Sequence, residues 1–314
     1  MFRRIILVFI IIFCFVSSAS AFWIWTPQSK KWTNPKWSAK GTPKEQFEFA
    51  KSKLDIGETE TALIEFKKVL THFPESAEAA EAQFYTGECL EKLDKPYDAY
   101  TAYQKVISKY PFSTRLNEIL KRQFKIAEKL TDMKYKVLGL PFTGDQYAVE
   151  VYRKVIDNAP YGELAALSQY RIGMIFKALA RYDEAKDEFD KVVSAYPESE
   201  WSEAAKFQIA QCASLASLRS DYDQELTKEA KDKYSEFVAR HPEAELTRDA
   251  EKQIQDLSNK EAEKDFNVAA FYEKQKEFKS AKIYYGYVVN QYPDSGWAKK
   301  ASERIDALEK EGNL

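Results

Sequence analysis

Apolar and small residues recur along this chain at intervals of three and four, and run after run of that kind stops at a proline. Six prolines share one setting: His-Phe-Pro at Pro74, Lys-Tyr-Pro at Pro111, Asn-Ala-Pro at Pro160, Ala-Tyr-Pro at Pro197, Arg-His-Pro at Pro242 and Gln-Tyr-Pro at Pro293. Twelve residues before each stands an alanine: Ala62, Ala99, Ala148, Ala185, Ala230 and Ala281. Eight before stands an aromatic: Phe66, Tyr103, Tyr152, Phe189, Tyr234 and Tyr285. Five before stands Val69, Val106, Val155, Val192, Phe237 or Val288. Offsets of four and three put all three positions on one face of a helix, which the proline then ends because it lacks the N–H that the next turn needs.

A second helix is predicted in each unit. Two residues after the proline, Ser76, Ser113, Ser199 and Ser295 can cap it by accepting from first-turn amides; Gly162 and Ala244 stand there in the other two units. Ten residues beyond Pro74, Pro160 and Pro197 comes an aromatic, Phe84, Tyr170 or Phe207. Three further on are Gly87, Gly173 and Ala210, small enough for the paired helices to approach closely. Successive prolines lie 37, 49, 37, 45 and 51 residues apart, so the basic unit is 37 residues and three units carry insertions. Aligning Phe124 and Ala127 with Phe84 and Gly87 leaves 3 extra residues before the third unit's first helix and 9 between its helices, near Lys134 to Asp145, where Gly139, Pro141 and Gly144 mark a loop. Another 8 fall near Leu218 to Gln224, and 14 more, from Glu245 to Glu261 and free of Gly and Pro, extend one helix by about four turns.

An amphipathic helix pair cannot bury its apolar face alone, so neighbouring units must stack. The predicted fold class is therefore all-α, a helical-hairpin solenoid of about six repeats at 43–75, 76–112, 113–161, 162–198, 199–243 and 244–294, with a C-terminal capping helix over 296–310. A Trp-rich extended segment, 22–42, precedes it.

The amino terminus reads as an address. Arg3 and Arg4 precede the apolar run Ile5 to Val16, and Ala19-Ser20-Ala21 supplies a small-x-small triplet, the three parts of a secretory signal peptide over 1–21 with cleavage after Ala21. Two rivals stay open: lipidation at Cys14, although Phe13 stands where a lipobox wants a small residue, and an uncleaved anchor from Ile5 to Trp25. Cleavage leaves 45 basic against 49 acidic residues, a charge of −4. That balance gives no attraction to a polyanion, so no nucleic-acid partner is expected.

With two His and three Cys in 314 residues, a metal site or a thiol or imidazole catalyst has almost nothing to draw on. No HExxH, Gly-rich phosphate loop, nucleophile elbow or Cys-x-x-Cys is present. No cofactor, no metal and no enzymatic activity are expected; only a carboxylate-only enzyme on a helical solenoid, such as a cell-wall glycosidase, escapes that exclusion. Cys89 and Cys212 read as buried thiols, and His72 and His241, one or two residues before repeat prolines, as structural.

The pattern Gly87, Ala99, Tyr103, Pro111 resembles the tetratricopeptide repeat, which implies a solenoid that binds peptides or partner domains. More narrowly, Tyr196-Pro197-Glu198-Ser199 and Tyr292-Pro293-Asp294-Ser295 are similar to the junctions of exported tetratricopeptide proteins of the Gram-negative envelope. Within that group the stretch Ala262 to Pro293, with Val268-Ala269-Ala270-Phe271-Tyr272, the turn Lys276-Glu277-Phe278 and then Ala281 to Pro293, resembles the BamD family of outer-membrane protein assembly factors. The resemblance implies a periplasmic scaffold at the inner face of the outer membrane. Its partners would be a BamA-type barrel insertase, other assembly-complex subunits and unfolded outer-membrane precursors. An alternative is the TolA-binding, cell-division coordinator type of envelope adaptor, which usually places a trimerising coiled coil before its repeats; no heptad run precedes Pro43.

Candidate partner-binding residues are Lys51, Tyr85, Glu88 and Lys92 on first helices of units one and two, where Tyr85 can stack on a peptide aromatic and the charges can set its register. Phe271, Tyr272, Tyr284 and Trp297 are candidates in the long helix and terminal unit, with core packing as the competing role. Trp23, Trp25, Trp32 and Trp37, interleaved with Lys30, Lys31 and Lys36, are candidates for a membrane interface and peripheral membrane association, or else for a cap over the first repeat.

Overall fold

The computed structural model describes residues 23–26, 31–34, 38–137, 140–219 and 224–311. Thirteen helices occur among them. The first five are α1 (Pro43–Asp55), α2 (Thr59–His72), α3 (Glu78–Lys92), α4 (Pro96–Lys109) and α5 (Leu116–Asp132). They are followed by α6 (Asp145–Asn158), α7 (Ala165–Ala178), α8 (Tyr182–Ala195), α9 (Glu200–Arg219), α10 (Gln224–Arg240), α11 (Thr247–Lys274), α12 (Phe278–Gln291) and α13 (Gly296–Lys310). Two short antiparallel pairs accompany them: β1 (Ile24–Thr26) with β2 (Lys31–Thr33), and β3 (Lys134–Val137) with β4 (Leu140–Thr143). The chain divides into two compact units, one through Asp132 and one from Met133 onward. Within each unit a helix packs chiefly on its sequence neighbours, as a stack of hairpins requires.

The alanine, aromatic and branched positions before the six prolines form the core. Ala62, Ala99, Ala148, Ala185, Ala230 and Ala281 are all fully buried, and none of the paired aromatics Phe66, Tyr103, Tyr152, Phe189, Tyr234 and Tyr285 exposes more than 1%. Burying such a ring contributes roughly 1.5–3 kcal/mol, so the repeated aromatic is the main apolar term of each unit. The small residue of the partner helix makes room for it. A Cβ on Gly87 would lie 2.5 Å from Tyr103 Cε1, and one on Gly173 2.6 Å from Phe189 Cε1.

The turns repeat as faithfully. At the ends of α1, α3, α7 and α11 the chain enters the left-handed region at Gly57, Asp94, Ala180 and Lys276, with φ of 82°, 56°, 55° and 63°. The following amide then bonds back to the carbonyl five residues earlier, as Lys95 N–H does to Leu90 at 2.9 Å and Arg181 N–H to Phe176 at 2.9 Å. At the proline junctions, the amide two residues after the proline bonds to the carbonyl of the residue before it in all six cases, from Ser76 to Phe73 at 3.1 Å through Ser295 to Tyr292 at 3.0 Å. Gly162 and Ala244 make the same bond, so the turn is a backbone device. The expected serine caps are therefore uneven. Ser295 Oγ accepts from Ala298 N–H at 3.0 Å, and Ser113 and Ser199 accept from Arg115 and Trp201 at 3.3 and 3.2 Å, but Ser76 Oγ accepts no helix amide.

The insertions separate into three outcomes. The expected loop near Lys134 to Asp145 is the β3–β4 hairpin, in which Pro141 pairs with Lys136. A two-stranded pair is all edge, so a residue with no N–H is tolerated there. The boundary between the compact units falls at this insertion, which puts α5 and α6, expected as one helical pair, in different units. Residues of the fifth unit's insertion lengthen α9 as far as Arg219. The long helix expected before the sixth unit is α11, 28 residues with no break. Finally, the Trp-rich segment 22–42 contains the β1–β2 strand pair, in which Trp25 stands opposite Trp32 with ring centroids 5.9 Å apart.

A polar clamp, unanticipated from the repeat pattern, fixes the hairpins. The residue before the first-helix aromatic is Gln46, Gln83 or Gln169, and each is buried. Their Nε2 atoms donate to the backbone carbonyls of Glu65, Ala102 and Glu188, at 3.0, 3.0 and 3.3 Å, always nineteen residues ahead. Gln46 and Gln169 also donate to the carboxylates of Glu65 and Glu188. Each carboxylate accepts from the lysine one turn on, Lys68 at 2.8 Å and Lys191 at 2.9 Å, and Glu188 from Arg153 at 2.9 Å as well.

Candidate interaction site

In the amino-terminal unit the four predicted residues form two neighbouring groups. Tyr85 of α3 stacks on Phe66 of α2, centroids 5.3 Å apart and planes 10° from parallel, and meets Phe47 of α1 edge-on at 5.8 Å. Lys51 Nζ lies 5.8 Å from the Tyr85 ring centroid. Tyr85 is therefore half-buried, one face spent on the joint between hairpins. One turn on, Glu88 pairs with Lys92 at 3.3 Å and lies 3.8 Å from Arg122.

That last contact belongs to a charged ladder between α3 and α5 that the repeat pattern conceals. Arg115 grips Glu81 through two nitrogens, at 3.1 and 2.8 Å, and Glu118 at 2.7 Å. Arg122 reaches Glu118 at 3.2 Å and Glu91 at 3.3 Å. Burial tends to raise the Glu118 carboxyl, but the bonds from Arg115 and Arg122 outweigh it and hold the group below the usual carboxylate range. Only an arginine fork, not its charge alone, explains the paired contacts on Glu81.

At the carboxy-terminal end the aromatics lie on a surface. Tyr272 of α11 and Tyr284 of α12 stack with centroids 5.1 Å apart and planes 8° from parallel, and the Tyr284 phenol is raised by its neighbour Tyr272. Phe271 meets Tyr272 edge-on at 5.8 Å while remaining 57% exposed. Ile283 and Tyr287, one turn apart on α12, are 72% and 48% exposed and were not singled out from the sequence. An open hollow runs along α11 from Lys260 to Tyr272, with Val268 and Phe271 among its lining residues. Trp297 lies elsewhere. It packs on Phe266 at 5.1 Å, under Lys300, as part of the terminal core cluster. The equivalent contact in the fourth unit is Tyr170 on Trp201, also 5.1 Å.

Trp23, Trp25 and Trp32 expose 56%, 46% and 63% of their surfaces, and Trp37 lies outside the described residues, as does the predicted signal segment 1–21. No helix among the described residues is long and apolar enough to cross a membrane. Cys89 and Cys212 are buried free thiols, each pushed up to about 11 by burial. The ring of His241 packs on Phe237 at 5.2 Å, with Nδ1 3.0 Å from Glu203.

Comparison with known proteins agrees with this architecture. The tetratricopeptide repeat model matches residues 81–113 and 167–199, which span the hairpins α3–α4 and α7–α8 with their Gly and Pro. The chain is thus an all-α, tetratricopeptide-like helical solenoid. An outer membrane lipoprotein family model, YfiO, matches residues 209–311, the stretch that carries α11, α12 and the exposed aromatic patch. No curated protein matches. Among solved structures, the C-terminal part of a TPR repeat-containing protein from Cytophaga hutchinsonii is 16% identical, with 83% of this chain and 88% of that one covered and a TM-score of 0.37. A tetratricopeptide repeat protein from Parabacteroides merdae is 14% identical over 79% and 93%, with a TM-score of 0.35. A thermophilic TPR protein from Thermus thermophilus is 14% identical over 68% and 99%, with a TM-score of 0.33.

Proposed function

We propose that this protein is a non-enzymatic scaffold of the Gram-negative envelope, BamD-like, that holds a BamA-type barrel insertase at the inner face of the outer membrane. The observation that carries the reading is the exposed apolar surface of α11 and α12, where Phe271 and the stacked pair Tyr272–Tyr284 lie, with Ile283 and Tyr287 exposed on α12. It lies within the 209–311 stretch similar to outer membrane lipoproteins, and its members keep 57% (Phe271), 72% (Ile283) and 48% (Tyr287) of their surface exposed. Exposed aromatics clustered on two helices are the composition of a partner-binding centre, since each ring that a partner covers returns roughly 1.5–3 kcal/mol.

The remaining assignments follow from the same placement. Lys51 and Tyr85, with Glu88 and Lys92 beside them, form a second surface for an extended segment of an unfolded precursor. The cross-strand pair Trp25–Trp32 with Trp23 supplies a peripheral membrane contact. A lipid on Cys14, which the outer membrane lipoprotein similarity favours, would bring the same end of the chain to the membrane.

The test is a crosslinked pull-down of the tagged full chain from its native envelope, beside a variant carrying Phe271→Ser, Ile283→Ser and Tyr287→Ser. The wild type should recover an outer-membrane barrel insertase and the variant should not, while both melt at the same temperature. Recovery of cell-wall synthases or TolA-like proteins by the wild type would replace this reading with the cell-division adaptor. Mass spectrometry of the mature amino terminus, starting at Phe22 or at a lipidated Cys14, decides the anchor.

A further inference from the structure

The clamp of the fourth unit reappears in the fifth with its charges exchanged. Nine residues after the preceding proline, Gln169 becomes Lys206; nine before the closing proline, Glu188 becomes Lys233. Six before it, Lys191 becomes Glu236, and on the preceding helix Arg153, seven residues before its proline, becomes Asp190. In the fourth unit these positions close on one another around the Glu188 carboxylate. In the fifth they do not. A cavity of about 130 Å³ opens between α8, α9 and α10, lined by Asp190, Lys206, Lys233, Glu236, Arg240 and His241 together with apolar Val193, Ile209 and Phe237.

The charges around it leave a remainder. Arg240 pairs with Glu236 at 2.9 Å, and His241 Nδ1 faces Glu203 at 3.0 Å. Lys206 Nζ lies 3.4 Å from the other ring nitrogen of His241 and makes no ion pair among the described residues. No ion pair joins Lys233 to Asp190 among the described residues, although Lys233 and Lys186 both act on the Asp190 carboxyl, which burial pushes up. Among the lining side chains Lys206, Lys233 and Arg240 carry three positive charges against two on Asp190 and Glu236, an excess of one in the recess. A carboxylate is the small anion that a protein partner can bring to such a recess.

We infer that this pocket binds a single carboxylate carried by a protein partner, an aspartate or glutamate side chain gripped between Lys206 and Lys233. The incoming group takes the part that Glu65 plays between Gln46 and Lys68, and Glu188 between Gln169 and Lys191. Units one and four carry the carboxylate within the repeat, and unit five receives it from outside. The pocket is separate from the aromatic patch and does not depend on which partner that patch holds.

The full chain, with its lysines reductively dimethylated with carbon-13 so that they keep their charge, is titrated at constant ionic strength with N-acetyl-glutamyl amide and followed by NMR. The expected result is saturating shifts of the Lys206 and Lys233 signals in the millimolar range, none with the neutral N-acetyl-glutaminyl amide, and at least tenfold weaker binding in Lys233→Gln. The pair Lys206→Gln with Lys233→Glu, which copies the fourth unit, should abolish saturation; if that variant fails to fold, Lys233→Gln alone carries the test. Non-saturating drift equal to that of the exposed Lys252 would reduce the effect to ionic screening and overturn the proposal. So would inorganic phosphate saturating the same signals at equal or lower concentration, which would make the pocket a site for a free anion.

Discussion

The same substitution, glycine to alanine, should have opposite signs at two helical glycines. At Gly87 an added Cβ lies 2.5, 2.7 and 2.8 Å from three atoms of the Tyr103 ring, against an ordinary contact of 3.4–4 Å. The ring must retreat by about 1 Å, and it is poorly placed to do so. It is fully buried, its hydroxyl donates to Glu91, and Arg122, itself bonded to Glu91, lies 5.9 Å from the ring. Overpacking of this kind costs about 1–3 kcal/mol. The gain in helix propensity on leaving glycine returns up to about 1 kcal/mol, so Gly87→Ala should lose about 1–2 kcal/mol net. Gly286 lies inside α12 with nothing within 4 Å of its added Cβ, so Gly286→Ala keeps only the propensity gain, about 0.5–1 kcal/mol. Stacked repeats open locally, so the readout is native-state hydrogen exchange, with α3 and α4 amides reporting on the first variant and α12 amides on the second. Protection should fall about five- to thirtyfold at α3–α4 and rise a few-fold at α12. Equal stabilisation by both would show that the close approach of Gly87 to Tyr103 does not constrain the hairpin.

Further consequences follow from the turns, the clamp and the thiols. At the left-handed positions Gly57 and Ala180, Gly57→Ala should cost about 1 kcal/mol though its Cβ meets nothing, and Ala180→Gly should gain about 0.5 kcal/mol, both read by urea unfolding. Burial alone would raise the Glu188 carboxyl, but Lys191, Arg153 and Gln169 hold it below the usual carboxylate range. Its contribution is therefore present above the ordinary carboxylate pKa of about 4.3 and lost as pH falls through the depressed folded value. Melting temperatures between pH 7 and pH 3 should drop less steeply in Glu188→Gln than in the wild type. Cys89 and Cys212, pushed up to about 11, should resist iodoacetamide at pH 8 and react once denaturant is added; labelling in the native state would show that their helices open more readily than their burial implies.

Helix and turn were legible wherever a position recurred. The alanine, aromatic and branched offsets repeat because each faces the same packing problem, so six copies announce the core where a single copy would not. The β3–β4 pair recurs nowhere. Gly139, Pro141 and Gly144 carry the same signals in a loop and in a hairpin, because turn residues mark where the chain reverses and not whether its arms pair. Ser76 and Ser295 show the opposite limit: one junction residue at two copies of one offset, one capping and one not, because the backbone turn is already closed without the side chain.

The site was legible in its residue types and not in its contacts. Tyr85 and Tyr284 stood off the core offsets and both reach the surface, but their stacking partners Phe66 and Tyr272 follow from how neighbouring helices lie, which spacing does not encode. Ile283 escaped because it sits two residues from the core Ala281, in a stretch apolar enough to read as interior throughout. Polar positions were the least legible of all. A buried glutamine beside a ring looks like any surface glutamine until the carbonyl nineteen residues ahead is found against it, and the exchange of Gln169, Glu188, Lys191 and Arg153 for Lys206, Lys233, Glu236 and Asp190 barely changes the charge count. What changes is closure. A carboxylate ringed by donors satisfies itself inside the repeat, whereas two ammonium groups lining one recess need an acceptor that the fifth unit supplies only in part. That physical asymmetry, and not composition, singles out one repeat among six as the one open to an acidic partner.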